Sequence, residues 1–448
     1  MSRTLLKITF ATTVFAFFYC AVFAQKKNKD PDQKDEYISS DSAFVFEDHI
    51  YKKNIHTVQL HRSDWEFSSP IISLSSADKL KLSFDDLDAD TKTYSYTLIH
   101  CDADWTPSNT VNSDYLSGFY DEQISDRKYS INTLQSYSHY SLIFPTENVQ
   151  ITKSGNYILE VFTDYDKEKY VLTKRFMVVD EKVDVNATVR QATFSDDRYF
   201  KQEVNFKINS GSYTITNPYG DLKVVLMQND RWDNVLTGLK PAFVKDKELD
   251  YDIGDGNSFM AGSEFRHFDA KSLRFHSDHI SDIYLDSTSK KYRIDLLEDE
   301  KRTIKQYSLE TDINGRFKIY IQESKDNSET EADYVTVHFL LKADVGDKDG
   351  VYYVFGALTD WQYKPEFKMH FNPDRFAYEC TAFLKQGYYN YEYMYLKDGD
   401  KVADVMEVEG SHWETENDYT ILVYHRQMGS NYDQLISVKK KNSIKNNN

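Results

Sequence analysis

The sequence predicts an all-β protein: tandem immunoglobulin-like β-sandwich domains, antiparallel, with few short helices. Three observations carry this. Aromatic residues are 15% of the chain, led by 34 Tyr and 28 Phe, and rings of this kind favour pleated, half-buried strands. Apolar and polar residues alternate with a period of two in many short stretches, as in Leu80, Leu82 and Phe84 against Lys79, Lys81 and Ser83. Turn-forming clusters such as Lys153-Ser154-Gly155-Asn156 separate those stretches, the arrangement expected of a sandwich.

The chain starts with Arg3 and Lys7, followed by an apolar run from Ile8 to Phe23 and then Val22-Phe23-Ala24-Gln25. A basic start, a short apolar core and a small-x-small end predict a signal peptide over 1–24, cleaved after Ala24. A spanning helix needs about 20 apolar residues, and here the chain turns polar at once with Gln25-Lys26-Lys27. Cys20 raises lipidation as the alternative, but bulky Phe17-Phe18-Tyr19 precede it where small residues are wanted. The product expected is an exported, soluble periplasmic protein. Residues 25–41 are polar without periodicity and predict a disordered lead segment.

An N-terminal β-sandwich domain is expected over 42–180, with strands at Val58–His61, Leu80–Phe84, Tyr94–Cys101, Ser141–Phe144, Tyr157–Phe162 and Arg175–Val179. Between Val111 and Asp126 the alternation lapses, and a short helix or ordered loop is expected around Tyr115 to Ile124. A middle β-rich domain follows over 183–322, where Val204, Phe206 and Ile208, then Tyr292, Ile294 and Leu296, alternate. Residues 323–333 hold no apolar side chain larger than alanine and predict an acidic linker. A C-terminal early-set immunoglobulin-like domain is expected over 334–430. Its stripe of Tyr389, Tyr391, Tyr393 and Tyr395 would pack by its rings with hydroxyls at the rim. Residues 431–448 predict a disordered tail.

The formal charge is −18, and cleavage would remove Arg3 and Lys7, taking it to about −20. Such a surface repels phosphate backbones, so nucleic acid is not an expected partner. After cleavage Cys101 and Cys380 remain, in strands of different domains. Two buried free thiols are the favoured reading and one disulfide the other.

Motifs for chemistry are sparse. The run Asp85-Asp86-Leu87-Asp88-Ala89-Asp90, with Asp102 and Asp104 nearby, offers oxygen ligands for calcium, but lacks the glycine and terminal glutamate of an EF-hand; a solvated loop is the simpler reading. No H-E-x-x-H, G-x-S-x-G or P-loop occurs. No catalytic residue, cofactor or metal is therefore expected, and an enzyme is not. In the last domain, Val354-Phe355-Gly356-Ala357, Asp360-Trp361 and Lys385-Gln386-Gly387-Tyr388-Tyr389-Asn390-Tyr391 resemble early-set modules that bind starch or glycogen. A periplasmic carbohydrate-binding module is the alternative function this raises, although the same residues serve as core and hairpin.

Six segments in order resemble one family: Ile99-His100-Cys101-Asp102-Ala103-Asp104-Trp105; Tyr115-Leu116-Ser117-Gly118-Phe119; Lys153-Ser154-Gly155-Asn156-Tyr157; Gln228-Asn229-Asp230-Arg231-Trp232; Glu264-Phe265-Arg266; and Leu384-Lys385-Gln386-Gly387-Tyr388-Tyr389-Asn390-Tyr391. Together they are similar to the type IX secretion system plug proteins of the Bacteroidetes, from about Val58 to Tyr424. The resemblance implies a periplasmic monomer that docks on the outer-membrane translocon β-barrel and seals its periplasmic opening. It supplies no catalytic residues. Because interface anchors are commonly Trp, Tyr and Arg, Trp105, Arg231, Trp232 and Arg266 within these segments are the candidate partner-interface residues.

Overall fold

A computed structural model describes residues 43–444 apart from 255, 325, 326 and 348. The expected signal peptide and the whole of the expected lead segment lie outside the described residues. The described chain is mostly antiparallel β-sheet with three four-residue α-helices, at Asn112–Tyr115, Pro218–Asp221 and Ser328–Glu331.

In the first part, one sheet places Tyr94–Cys101 beside Gly155–Thr163, which pairs with Asp166–Val179. A second sheet runs Ile55–Arg62, Leu80–Asp86, Ser138–Phe144 and Asp126–Tyr129. Alternation decides what lies between them. Leu80, Leu82 and Phe84 from one sheet share a buried core with Tyr96, Leu98, Tyr157 and Leu159 from the other. The lapse after Val111 is the helix Asn112–Tyr115 followed by the short strands Leu116–Gly118 and Asp121–Gln123.

The remaining sheets do not follow the expected sequential boundaries. Leu222–Gln228, from the expected middle domain, pairs with Asp418–His425, which pairs with Gln434–Asn442. Arg266–Asp269 and Phe317–Ile319 both pair with Gly387–Lys397. Residues of the expected divisions 183–322 and 334–430 share two interleaved cores. One joins Val204, Phe206 and Ile208 to Leu226, Ile421 and Val423. The other joins Phe268 and Ile294 to Val337, Phe339 and Tyr391. Local alternation reports strands but not their long-range partners.

Two further expectations are corrected. The tail holds the strand Gln434–Asn442, whose Leu435 and Ile436 are buried and whose Lys440 reaches the Ser69 hydroxyl and the Asp230 carboxylate. The acidic linker is a clasp. Its helix Ser328–Glu331 leads to Ala332, whose carbonyl accepts from the Tyr137 hydroxyl at 2.8 Å, while the Asp333 carboxylate accepts from the Leu134 and Gln135 amides at 2.6 and 3.0 Å. Backbone and carboxylate contacts replace the apolar side chains the segment lacks. The tyrosine stripe also departs from expectation: the Tyr391 and Tyr393 hydroxyls are buried and donate to Asp299 at 2.7 and 2.9 Å. Cys101 and Cys380 are buried free thiols, each pushed up to about 12 by burial.

Candidate functional site

Local backbone geometry places Trp105 indoors. Its φ is +65, on a turn closed by its amide donating to the Asp102 carbonyl. That conformation costs a non-glycine residue about 1–3 kcal/mol. It lays the indole into a cluster with Ile71, Met177, Met227 and Leu435, where strands of the first part meet the sheet of Leu222–Gln228. Trp232 sits edge-on to it at 5.0 Å. The Arg175 guanidinium lies 4.9 Å from the Trp105 ring and 5.3 Å from the Trp232 ring, and donates to the Phe46 carbonyl. Cation–π contact with partial desolvation makes this a structural joint.

Arg231 is likewise interior. It forks onto Asp233 at 2.7 and 2.6 Å, reaches Glu392 at 3.1 Å and covers the Trp361 ring at 4.8 Å. Burial drives the Glu392 carboxyl up to about 7, with Arg231 pulling the other way. Arg266 donates to both Glu409 oxygens at 3.0 and 3.1 Å, to Asp299 at 2.7 Å and to the Glu300 carbonyl. The four candidates were expected as exposed anchors. Trp105, Arg231 and Arg266 are instead buried and Trp232 is half-buried, and Trp105, Trp232 and Arg231 lie close together while Arg266 belongs to a separate network. Their residue types suit an interface, but the interface they form is internal.

The acidic run is also committed. Asp85 is buried against Lys385, His139 and Tyr334, and Lys92 collects Asp86, Asp88 and Asp90. Asp102 pairs with Arg426. Among the described residues no cluster of three His, Cys, Asp or Glu is placed to hold a metal ion.

Two cavities adjoin this junction, of about 490 and 340 Å³. Gln59, His61 and Glu66 line both. A bulge in the strand Ile55–Arg62, with Thr57 at φ +50, shifts its register against Leu80–Asp86 between His56 and Gln59; bulges re-aim the side chains that follow. Asn229, Asp230, Asp360 and Trp361, all lining the larger cavity, have φ between +53 and +58, and strain of this kind clusters at functional sites.

Sequence reading missed the aromatics that solvent does reach. Phe194, Tyr199 and Phe200 are 54%, 64% and 40% exposed on the loop joining Asp184–Gln191 to Lys201–Asn209. Phe119 and Trp65 are also exposed. The signal was there: the loop sequence Phe194-Ser195-Asp196-Asp197-Arg198-Tyr199-Phe200 sets rings among charges between two alternating strands.

Residues 55–180 match the family model described as the Type 9 secretion system plug protein 1st domain. Twenty-one chains of solved structures match. One is the crystal structure of a hypothetical protein from Parabacteroides merdae, similar at 33% identity with a TM-score of 0.85, over 89% of this chain and 100% of that one. No curated protein matches.

Proposed function

We propose a function from one premise: the chain belongs to the type 9 secretion system plug protein family. In this reading it is exported by the segment 1–24, stays on the periplasmic side of the outer membrane, and docks on the translocon barrel. There it closes the periplasmic opening when no substrate is passing. It acts as a monomer of immunoglobulin-like sandwiches and needs no cofactor.

The observation that carries the reading is the match of residues 55–180 to the plug family's first domain. The interior supports it. A closure that must resist passage benefits from internal joints that do not slide, and the parts are joined by ion pairs such as Lys174 with Asp48 and Asp360 at 2.8 and 3.0 Å. A reversible contact calls for a polar rim around a few aromatic anchors. Since Trp105, Arg231, Trp232 and Arg266 are used internally, the docking contact is assigned to the exposed loop of Phe194, Tyr199 and Phe200, with the translocon barrel as its occupant.

Deleting the gene should make the outer membrane permeable to large antibiotics only in cells that carry the translocon. Equal permeability in cells lacking the translocon rejects closure. Replacing Phe194, Tyr199 and Phe200 together by Ser should abolish co-purification with the barrel without shifting the unfolding midpoint. Unchanged co-purification rejects that docking loop while leaving closure standing.

A further inference from the structure

We infer that the two adjoining cavities along the strand Ile55–Arg62 form a binding site for a short, neutral oligosaccharide. The site is independent of the docking proposed above.

Size and access come first. Small-molecule sites commonly span about 300–1,000 Å³, and both cavities, at about 490 and 340 Å³, fall in that range. Gln59, His61 and Glu66 are common to both, so the two meet along one strand. That suits an extended ligand of several rings better than a compact one. Glu47 and Glu66 are exposed where they line the larger cavity, and Trp65 is 59% exposed where it lines the smaller. The site is therefore reachable from solvent at both parts.

The lining selects the ligand class. Its cations are already bound. Lys174 is held by Asp48 and Asp360, Arg316 by Asp230, Lys81 by Glu329, Lys385 by Asp85, and Arg175 by the Phe46 carbonyl and two indoles. Lys174 and Lys364 hold the Asp360 carboxyl well below the ordinary range against the opposing effect of burial. Separating one of these ion pairs to meet a charged ligand would strand a charge, and the Arg175 cation already lies against two indoles. What remains is one amide and one carboxylate. The Gln59 amide and the Glu47 carboxylate have no hydrogen-bond partner among the described residues, and both line the larger cavity. They provide donors and acceptors for hydroxyl groups.

Aromatic rings supply the second half. A pyranose has a face of C–H bonds and a rim of hydroxyls, so it needs a ring to lie on and planar polar groups around it. Trp65 offers a solvent-exposed ring at the smaller cavity, while Trp361 and Tyr363 line the larger one with one face each already covered, by Arg231 and by Phe355. Trp65 keeps 59% of its surface in water, and stacking a sugar on it would bury part of that apolar area. Four positive-φ residues in the wall of the larger cavity indicate that its shape is held against local backbone preference.

The test uses the purified full-length protein with maltotriose, cellotriose and N,N′,N″-triacetylchitotriose, each titrated to millimolar concentration by calorimetry and by tryptophan fluorescence. At least one should bind saturably with a change in emission. Trp65→Ala should weaken that binding at least about tenfold, equivalent to about 1.4 kcal/mol, and leave the unfolding midpoint unchanged because the side chain is exposed. Gln59→Ala should weaken it in the same direction. Absence of binding by all three sugars overturns the inference. So does binding that both variants retain in full, which would place the sugar elsewhere.

Discussion

Lys385 Nζ lies 2.6 Å from the Asp85 carboxylate, across 300 residues of sequence, with both side chains 1% exposed. The pair locks the first part of the chain to the last. Lys385 also donates to the Glu329 carbonyl and lies 4.1 Å from the Tyr137 ring, while Asp85 accepts from Tyr334 and is bonded to His139.

Lys385→Met should therefore destabilise the protein by about 3–5 kcal/mol, because it leaves a buried carboxylate without its cation. Asp85→Asn added to Lys385→Met should recover part of that loss, since the remaining group is neutral and still bonded. Urea unfolding of the two variants measures both. Burial alone would raise the Asp85 carboxyl, but Lys385 and His139 outweigh it and hold it below its ordinary 3.8. A carboxyl depressed in the folded state contributes stability that is present above its unfolded pKa and is lost as pH falls through the folded value. The wild-type protein should thus lose stability steeply below pH 3.8. The double variant should lose less there.

Glu160 gives the opposite slope. It is 4% exposed on the strand Gly155–Thr163, one carboxylate oxygen has no hydrogen-bond partner, and burial lifts it to about 7 from 4.5, with distant Lys167 lowering it only in part. A raised carboxyl contributes stability that is fully present below 4.5 and is lost as pH rises through about 7. Glu160→Gln keeps the shape without the charge. It should raise stability at pH 8 by about 1–3 kcal/mol, taking 1.36 kcal/mol per pKa unit, and change little at pH 5. Unfolding at the two pH values checks the difference.

Arg231 ties Asp233 to Glu392, which is 4% exposed. Arg231→Met should cost about 3–5 kcal/mol. Arg231→Lys should recover little, because a point charge cannot fork onto Asp233 or lie flat on Trp361. Comparable stability of the lysine variant and the wild type in urea would show that charge alone is needed.

What the sequence made legible was local. Leu80, Leu82 and Phe84 announced an inward strand face because alternation is a property of neighbours. The pairing of Leu222–Gln228 with Asp418–His425 was not legible, since nothing in either run names its partner. The site suffered similarly. Trp105 and Arg231 have the residue types of interface anchors, but type does not distinguish an interface between chains from one inside a chain. Asp85 resembled a loop ligand because its cation lies at Lys385, far along the chain. Phe194 and Tyr199 were overlooked because exposure, unlike alternation, depends on the whole fold.

Gly118 was part of a recognised segment, and the structure gives it a mechanical reason. Its φ is +95, and a β-carbon there would sit 2.1 Å from the Asn148 carbonyl oxygen. The strand Leu116–Gly118 pairs with Val149–Ile151, and the Phe119 amide donates to that same carbonyl at 2.7 Å. A methyl group must push the two strands apart and break this bond. Gly211 provides the comparison: its φ is +53 and nothing lies within 4 Å of an added β-carbon. Gly211→Ala should lose only the backbone preference, about 1 kcal/mol. Gly118→Ala should lose that and the close approach as well, about 2–4 kcal/mol in all. Urea midpoints of the two variants against wild type separate the terms. A Gly118 loss no larger than the Gly211 loss would mean that the strands part without cost, and that the glycine serves conformation alone.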